Sequence, residues 1–277
     1  MVSLIVPGSS ERMLARARAL PVDELVIDLE DAVAPDRKPE ALQLTLDALA
    51  TGNAATRTAV RVNPVGSAWH ASELRALTSA AARPDSIVLP KAEHPDELRK
   101  VLDGAEGIGV QALVETATAL AHADELGATP GVKALILGYA DLAVSLGRSP
   151  AGAANLDLWL AAQDRVLVAA RAAGIHAIDG PFLKLDDEDG LVGSATRAAD
   201  LGFDGKWAIH PSQVEPIAHA FRPDEEAITH AREVIAALKQ APADGAIRVG
   251  GQMVDEPVRL AAVRTLERAG LRPQDPA

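Results

Sequence analysis

A chain of 277 residues with 48% hydrophobic and 24% charged residues has the composition of a folded globular protein, which excludes disorder as its dominant state. Its 27 Lys and Arg against 39 Asp and Glu leave a formal charge of −12, which repels nucleic-acid phosphates and anionic lipid, so neither a nucleic acid nor a membrane is an expected partner. The absence of cysteine excludes a disulfide framework, a thiolate metal site and a cysteine nucleophile together.

The first residues, Met1 to Gly8, are apolar but lack a basic lead, and no run approaches the ~20 residues of a membrane span, so a cytoplasmic protein is expected. Short β-branched runs then alternate with helix-period stretches eight times. The runs cover residues 3–7, 24–28, 58–63, 86–91, 109–115, 132–138, 176–179 and 206–210. Their nearly continuous apolar character predicts parallel strands covered on both faces. Between them, apolar residues fall at helical spacing, as in Met13, Leu14, Ala17 and Leu20. Eight strand-then-helix units predict an α/β fold, a (β/α)8 TIM barrel, over residues 1–222. An open doubly wound sheet would want a Gly-rich fingerprint after its first strand, and Val6-Pro7-Gly8-Ser9-Ser10 is not one.

Residues 141–155 carry Gly147, Pro150 and Gly152 and read as a long loop suited to a substrate lid. Residues 223–277 read as a C-terminal extension: a helix at 224–238, a loose linker at 241–245, an extended run at 247–254 and a last helix at 257–269.

Active sites of such barrels lie at the C-terminal strand ends, and here most of those ends carry polar groups. They are Asp28-Leu29-Glu30-Asp31, Arg61-Val62-Asn63, Lys91, Glu115-Thr116, Gly138-Tyr139-Ala140-Asp141, Asp179 and His210. Each has a plain alternative. Asp141 and Thr116 could be helix caps, Glu30 and Asp31 could be partners of Lys91, Arg61 could tie to a carboxylate, and His210 could be a buried hydrogen-bonding histidine. The set on one rim carries the signal.

Glu115 and Asp141 end consecutive strands, so their carboxylates can converge on one cation. Oxygen ligands without Cys or paired His favour Mg²⁺ or Mn²⁺ over Zn²⁺. Glu30 and Asp31, with Lys91 beside them, suit a shell that accepts from metal-bound waters. Two protein carboxylates leave coordination positions for a chelating substrate, which Glu115 would also face and onto which Arg61 could fork.

The segments VPGSSERMLARA from Val6, VIDLEDAVAPDRK from Val26, AVRVNP from Ala59, VLPKAE from Val88, ALVETA from Ala112, GYADL from Gly138, GFDGKWAIHPSQV from Gly202 and GQMVDEPV from Gly251 together resemble the HpcH/HpaI aldolase and citrate lyase family, in particular its citrate lyase β-subunit-like proteins that act on coenzyme A esters. The resemblance implies a (β/α)8 barrel with Mg²⁺ on Glu115 and Asp141 and a substrate-binding Arg61. It also implies a C-terminal arm that reaches a neighbouring subunit, commonly in a homotrimer, and brings Asp255 as a catalytic aspartate. Alone, Asp255 would read as a turn residue. The implied reaction is cleavage or formation of a 3-hydroxyacyl-CoA, of malyl-CoA or citramalyl-CoA type, from acetyl-CoA and a 2-oxo acid. Alternatives are a citrate lyase β subunit acting on an acyl carrier protein, a Schiff-base aldolase using Lys91, a thioesterase step on the same scaffold, and a silent ligand-binding or scaffold subunit. Two places depart from the family pattern: Ala140, where an acidic residue is common, and residues 177–182.

Overall fold

All eight runs form strands, and the computed structural model, which describes residues 1–52, 54–55, 57–240, 247–249 and 252–272, closes them into one barrel. The chain divides into two units, Met1–Ala218 and His219–Ala277.

In the first unit, β1 (Val2–Pro7), β2 (Glu24–Asp28), β3 (Arg57–Arg61), β4 (Ser86–Leu89), β5 (Gly109–Val114), β6 (Val132–Leu137), β7 (His176–Asp179) and β8 (Gly205–Ala208) run parallel in sequence order, and β8 pairs back onto β1. Asn63, Lys91, Glu115 and His210 lie just past the strands that were expected to contain or end on them. At Lys91 the reason is conformational: its φ is +52°, a left-handed value that no strand contains.

Period-two alternation sends Val26, Ala59, Val88, Leu113, Ile136, Ile178 and Trp207 into one buried cluster, against which Met1 and Ile5 pack. Each large side chain buried in this way contributes ~1.5–3 kcal/mol. A polar knot pins the register near the strand starts. Gln111 Nε2 donates to Glu24 Oε1 and to Ser86 Oγ, both at 2.7 Å, and Ser3 Oγ donates to Glu24 Oε2 at 2.9 Å. A slip of one residue would leave the buried Glu24 without donors.

The expected long loop at 141–155 is instead mostly helical. A helix spans Tyr139–Ser145, the chain turns at Gly147 with φ +66°, and a second helix spans Pro150–Ala154. Ser149 caps that second helix by accepting from Gly152 N at 3.1 Å, and Pro150 stands at its first position, a start signal the glycines had obscured.

The second unit contains the helix Glu225–Gln240, an antiparallel hairpin of β9 (Ile247–Val249) and β10 (Gln252–Val254), and the helix Glu256–Arg268. The run at 247–254 is therefore two short strands and not one. Ala231, Val234, Ile235, Val254, Ala262 and Leu266 form a core of its own. The linker expected at 241–245 lies outside the described residues. Among the described residues no helix is long and apolar enough to cross a membrane.

Candidate active site

Four of the rim carboxylates gather around Lys91, three of them at its ammonium. Its Nζ lies 2.5 Å from Glu30 Oε1 and 3.8 Å from both Asp31 and Asp141, while its backbone N–H donates to Glu115 Oε1 at 2.9 Å. The left-handed backbone thus aims the amide at one carboxylate and the side chain at three others. Strain at such a position persists where surrounding contacts over-determine it, often at functional sites.

The neighbouring strands β5 and β6 bring Glu115 and Asp141 together. Gly138 permits this, since a Cβ there would stand 2.6 Å from Glu115 Cβ and 3.0 Å from its Oε2. Asp141 lies in the first turn of the helix Tyr139–Ser145, but the cap position belongs to Gly138. Its carboxylate is accordingly not consumed in capping.

Arg61 needs a correction. Its guanidinium fork was expected to meet the substrate, whereas in the fold Nε and Nη2 both donate to the buried Asp28 at 2.7 Å. The cause is register: Asp28 and Arg61 are paired residues of β2 and β3. Only Nη1 remains directed at the cluster, 3.2 Å from Glu30 Oε2 and 3.9 Å from Asp31. Arg61, Asp31, Pro181, Trp207 and Ile209 also line a cavity of about 390 Å³, so that edge has space beside it.

Behind the cluster, a buried lysine fixes the loop that carries Glu30. Lys38 Nζ donates to the carbonyls of Leu29 and Glu30 at 2.9 and 3.1 Å and to Asn63 Oδ1 at 2.7 Å. Asn63 Nδ2 in turn donates to Leu29 O at 2.9 Å and to Glu73 Oε1 at 2.6 Å. Sequence reasoning assigned no role to Lys38, Glu73 or Asp28. The faint signal was Lys38 itself, a lysine placed just after a proline-marked turn, ten positions past the end of β2.

The electrostatics show that the cluster lacks positive charge. Burial, then the charges of Glu30 and Asp141, push the Glu115 carboxyl up to about 8, against the opposing pull of Arg61 and Lys91. Burial likewise raises Glu30, whose Oε2 is buried without a hydrogen bond. Among the described residues no group of three or more acidic or histidine side chains is arranged to hold a metal alone. Two carboxylates backed by a carboxylate oxygen that has an ionic neighbour but no hydrogen bond fit a hydrated Mg²⁺, which keeps water ligands and leaves room for substrate.

A pH dependence follows. In the metal-free fold Glu115 holds a proton between its ordinary value of 4.5 and about 8 that the unfolded chain releases. The stability this provides is complete below 4.5 and is lost as pH rises through about 8. Calorimetry on metal-free protein should show Tm falling across that window, with a shallower fall in Glu115→Gln. An identical slope in the variant would contradict the assignment.

Three other rim residues do not join the cluster. Thr116 caps the helix Ala117–Ala121, accepting from Ala119 N at 3.1 Å. His210 is exposed rather than buried, and its Nδ1 pairs with Ser212 Oγ at 2.7 Å and caps the turn Pro211–Gln213. Asp179 is buried against Lys206, at 2.5 Å. In the second unit, Asp255 caps the helix Glu256–Arg268, its exposed carboxylate accepting from Val258 N at 3.4 Å.

The HpcH/HpaI aldolase/citrate lyase family model matches residues 2–211. The chain is 32% identical to an L-malyl-CoA/beta-methylmalyl-CoA lyase of Rhodobacter capsulatus, over 95% of this chain and 91% of that one. It is 36% identical to a (3S)-malyl-CoA thioesterase of Cereibacter sphaeroides, over 96% and 93%. Among solved structures it resembles the CitE protein of Mycobacterium tuberculosis in complex with magnesium, acetoacetate and coenzyme A. That match has a TM-score of 0.82 and 35% identity, and covers 97% of each chain.

Proposed function

The chain belongs to the HpcH/HpaI aldolase/citrate lyase family, and from that premise we propose that it is a Mg²⁺-dependent lyase that cleaves or forms a 3-hydroxyacyl-CoA of malyl-CoA type from acetyl-CoA and a 2-oxo acid. The observation that carries the reading is the convergence of Glu115 and Asp141 at the barrel mouth, beside a buried Glu30 oxygen that faces Arg61 Nη1 without a hydrogen bond. Relatives named as malyl-CoA lyases and a similar structure holding magnesium with coenzyme A support the metal and the substrate class.

Glu115 and Asp141 would hold the metal, which when bound supplies Lewis-acid polarisation of the 2-oxo acid carbonyl. Lys91 and Arg61 offset the charge of Glu30 and Asp31, leaving those carboxylates as acceptors. The Nη1 edge of Arg61, the one not bonded to Asp28, meets the oxygen on which negative charge develops during bond formation. In condensation, Asp255 of a neighbouring subunit takes a proton from the thioester methyl carbon, the enolate carbon bonds to the 2-oxo carbonyl carbon as that carbonyl π bond opens, and the resulting alkoxide takes a proton from solvent to become the hydroxyl. Cleavage reverses these steps and returns the proton to the enolate.

The test is mass spectrometry of products from a panel of 3-hydroxyacyl-CoAs, with and without EDTA. Acetyl-CoA or a homologue plus a 2-oxo acid, lost with EDTA, is the expected result. Free coenzyme A plus an intact hydroxy acid would instead establish the thioesterase reading, which the Cereibacter relative favours. Turnover only with a carrier-protein thioester would assign a citrate lyase β subunit.

Arg61→Lys keeps a positive charge but loses both bonds to Asp28. It should raise the KM for the 2-oxo acid and lower kcat, each by about tenfold or more, with coenzyme A affinity little changed. Weakened coenzyme A binding with normal 2-oxo acid kinetics would place Arg61 on the wrong half of the substrate.

A further inference from the structure

We infer that Tyr139, anchored by a buried Asp179–Lys206 pair, is a positioning residue that sets where the carboxylate of Asp141 stands. The inference rests on reading Asp141 as a metal ligand.

Asp179 and Lys206 are both fully buried and are paired across β7 and β8. Lys206 Nζ donates to Asp179 Oδ2 at 2.5 Å and to Gly180 O at 2.7 Å. The reaction outlined above uses neither residue. The other Asp179 oxygen accepts from the Tyr139 hydroxyl, and that hydroxyl accepts from Gln163 Nε2 at 2.8 Å. The Tyr139 ring stands edge-on to Trp159, centroids 5.0 Å apart. Glycine at position 180 leaves the ring its space, since a Cβ there would approach Tyr139 Cδ2 to 2.8 Å.

Tyr139 is the first residue of the helix Tyr139–Ser145, and Asp141 follows two positions later. Among the described residues Asp141 has no side-chain hydrogen bond, and its ionic partner Lys91 is 3.8 Å away. Its position is therefore inherited from the backbone of that first turn. The turn is in turn tied to β7 and β8 through one phenolic hydroxyl. A buried charge pair is a rigid anchor, because any movement separates two charges that cannot reach water.

The experiment uses the full chain with Tyr139→Phe, which removes only the hydroxyl. Mg²⁺ binding is measured by titration calorimetry without substrate, beside the Mg²⁺ dependence of turnover. The expected result is a Mg²⁺ dissociation constant raised by about tenfold, the weight of one buried hydrogen bond, with kcat at saturating Mg²⁺ within about threefold of the parent. Gln163→Leu, which loosens the same hydroxyl from its other side, should shift the constant in the same direction by less. Val166→Ala, a core truncation in the same helix as Gln163, should lower Tm and leave the constant unchanged. Mg²⁺ affinity in Tyr139→Phe within about twofold of the parent, whatever its Tm, would overturn the inference. An Asp141→Ala arm separates the two readings. If that variant binds Mg²⁺ normally, the metal site itself is misassigned and the inference falls with it; if it loses Mg²⁺ while Tyr139→Phe does not, only the positioning role fails.

Discussion

Glu115→Ala should lower lyase turnover at saturating Mg²⁺ by at least about a thousandfold, because the Lewis-acid contribution of a bound cation is several kcal/mol. The same change should abolish the rise in Tm that Mg²⁺ produces in the parent. The metal-free variant should melt no lower than the metal-free parent at pH values near 8. Glu115 is buried beside Glu30 and Asp141, and its burial first, then their repulsion, raises its carboxyl to about 8. Removing it leaves a small cavity but also relieves that repulsion. A variant that is folded and inactive, and whose Tm does not respond to Mg²⁺, would therefore locate the loss at the metal site and not in the fold. Unchanged Mg²⁺ affinity would remove Glu115 from the ligand set.

The barrel was legible because parallel strands covered on both faces must be apolar along their length, and eight such runs recur at βα spacing. The Glu115 and Asp141 pair was legible for a related reason: consecutive strands of a barrel are neighbours, so residues at their ends converge without further information. The Asp28–Arg61 fork was not, since it depends on which residue of β2 stands level with which residue of β3, and strand length alone does not give register. Lys38 was missed because its reach to the carbonyls of Leu29 and Glu30 follows from how the intervening turn folds back. Asp179 was placed on the rim although the sequence contained the contrary signal. Ile178 and Trp207 face the barrel interior, so strict alternation turns Asp179 and Lys206 to the other face. The helices at 139–154 were hidden by Gly147 and Gly152, whose loop signal outweighed the Ser149-Pro150 start.

The proposed placement of Asp255 in the site of a neighbouring subunit predicts that mixed oligomers of Asp255→Asn and Glu115→Ala chains, each inactive alone, regain activity. The second unit has its own core and exposes Met253 and Leu260 at 70% and 45%, apolar surface of the kind a protein partner covers. Asp255 itself caps a helix. If a neighbouring chain completes the site, a lone chain lacks the base and is expected to be inactive. Asn is the informative replacement, since it caps about as well as Asp and so removes the base without loosening the helix. In a closed head-to-tail ring assembled at random from equal amounts of the two chains, about a quarter of sites would combine an intact barrel with an intact arm. Recovery near that fraction of parent activity is the expected outcome. Verified mixed oligomers without activity would show that Asp255 serves its own chain or takes no part in the proton transfer.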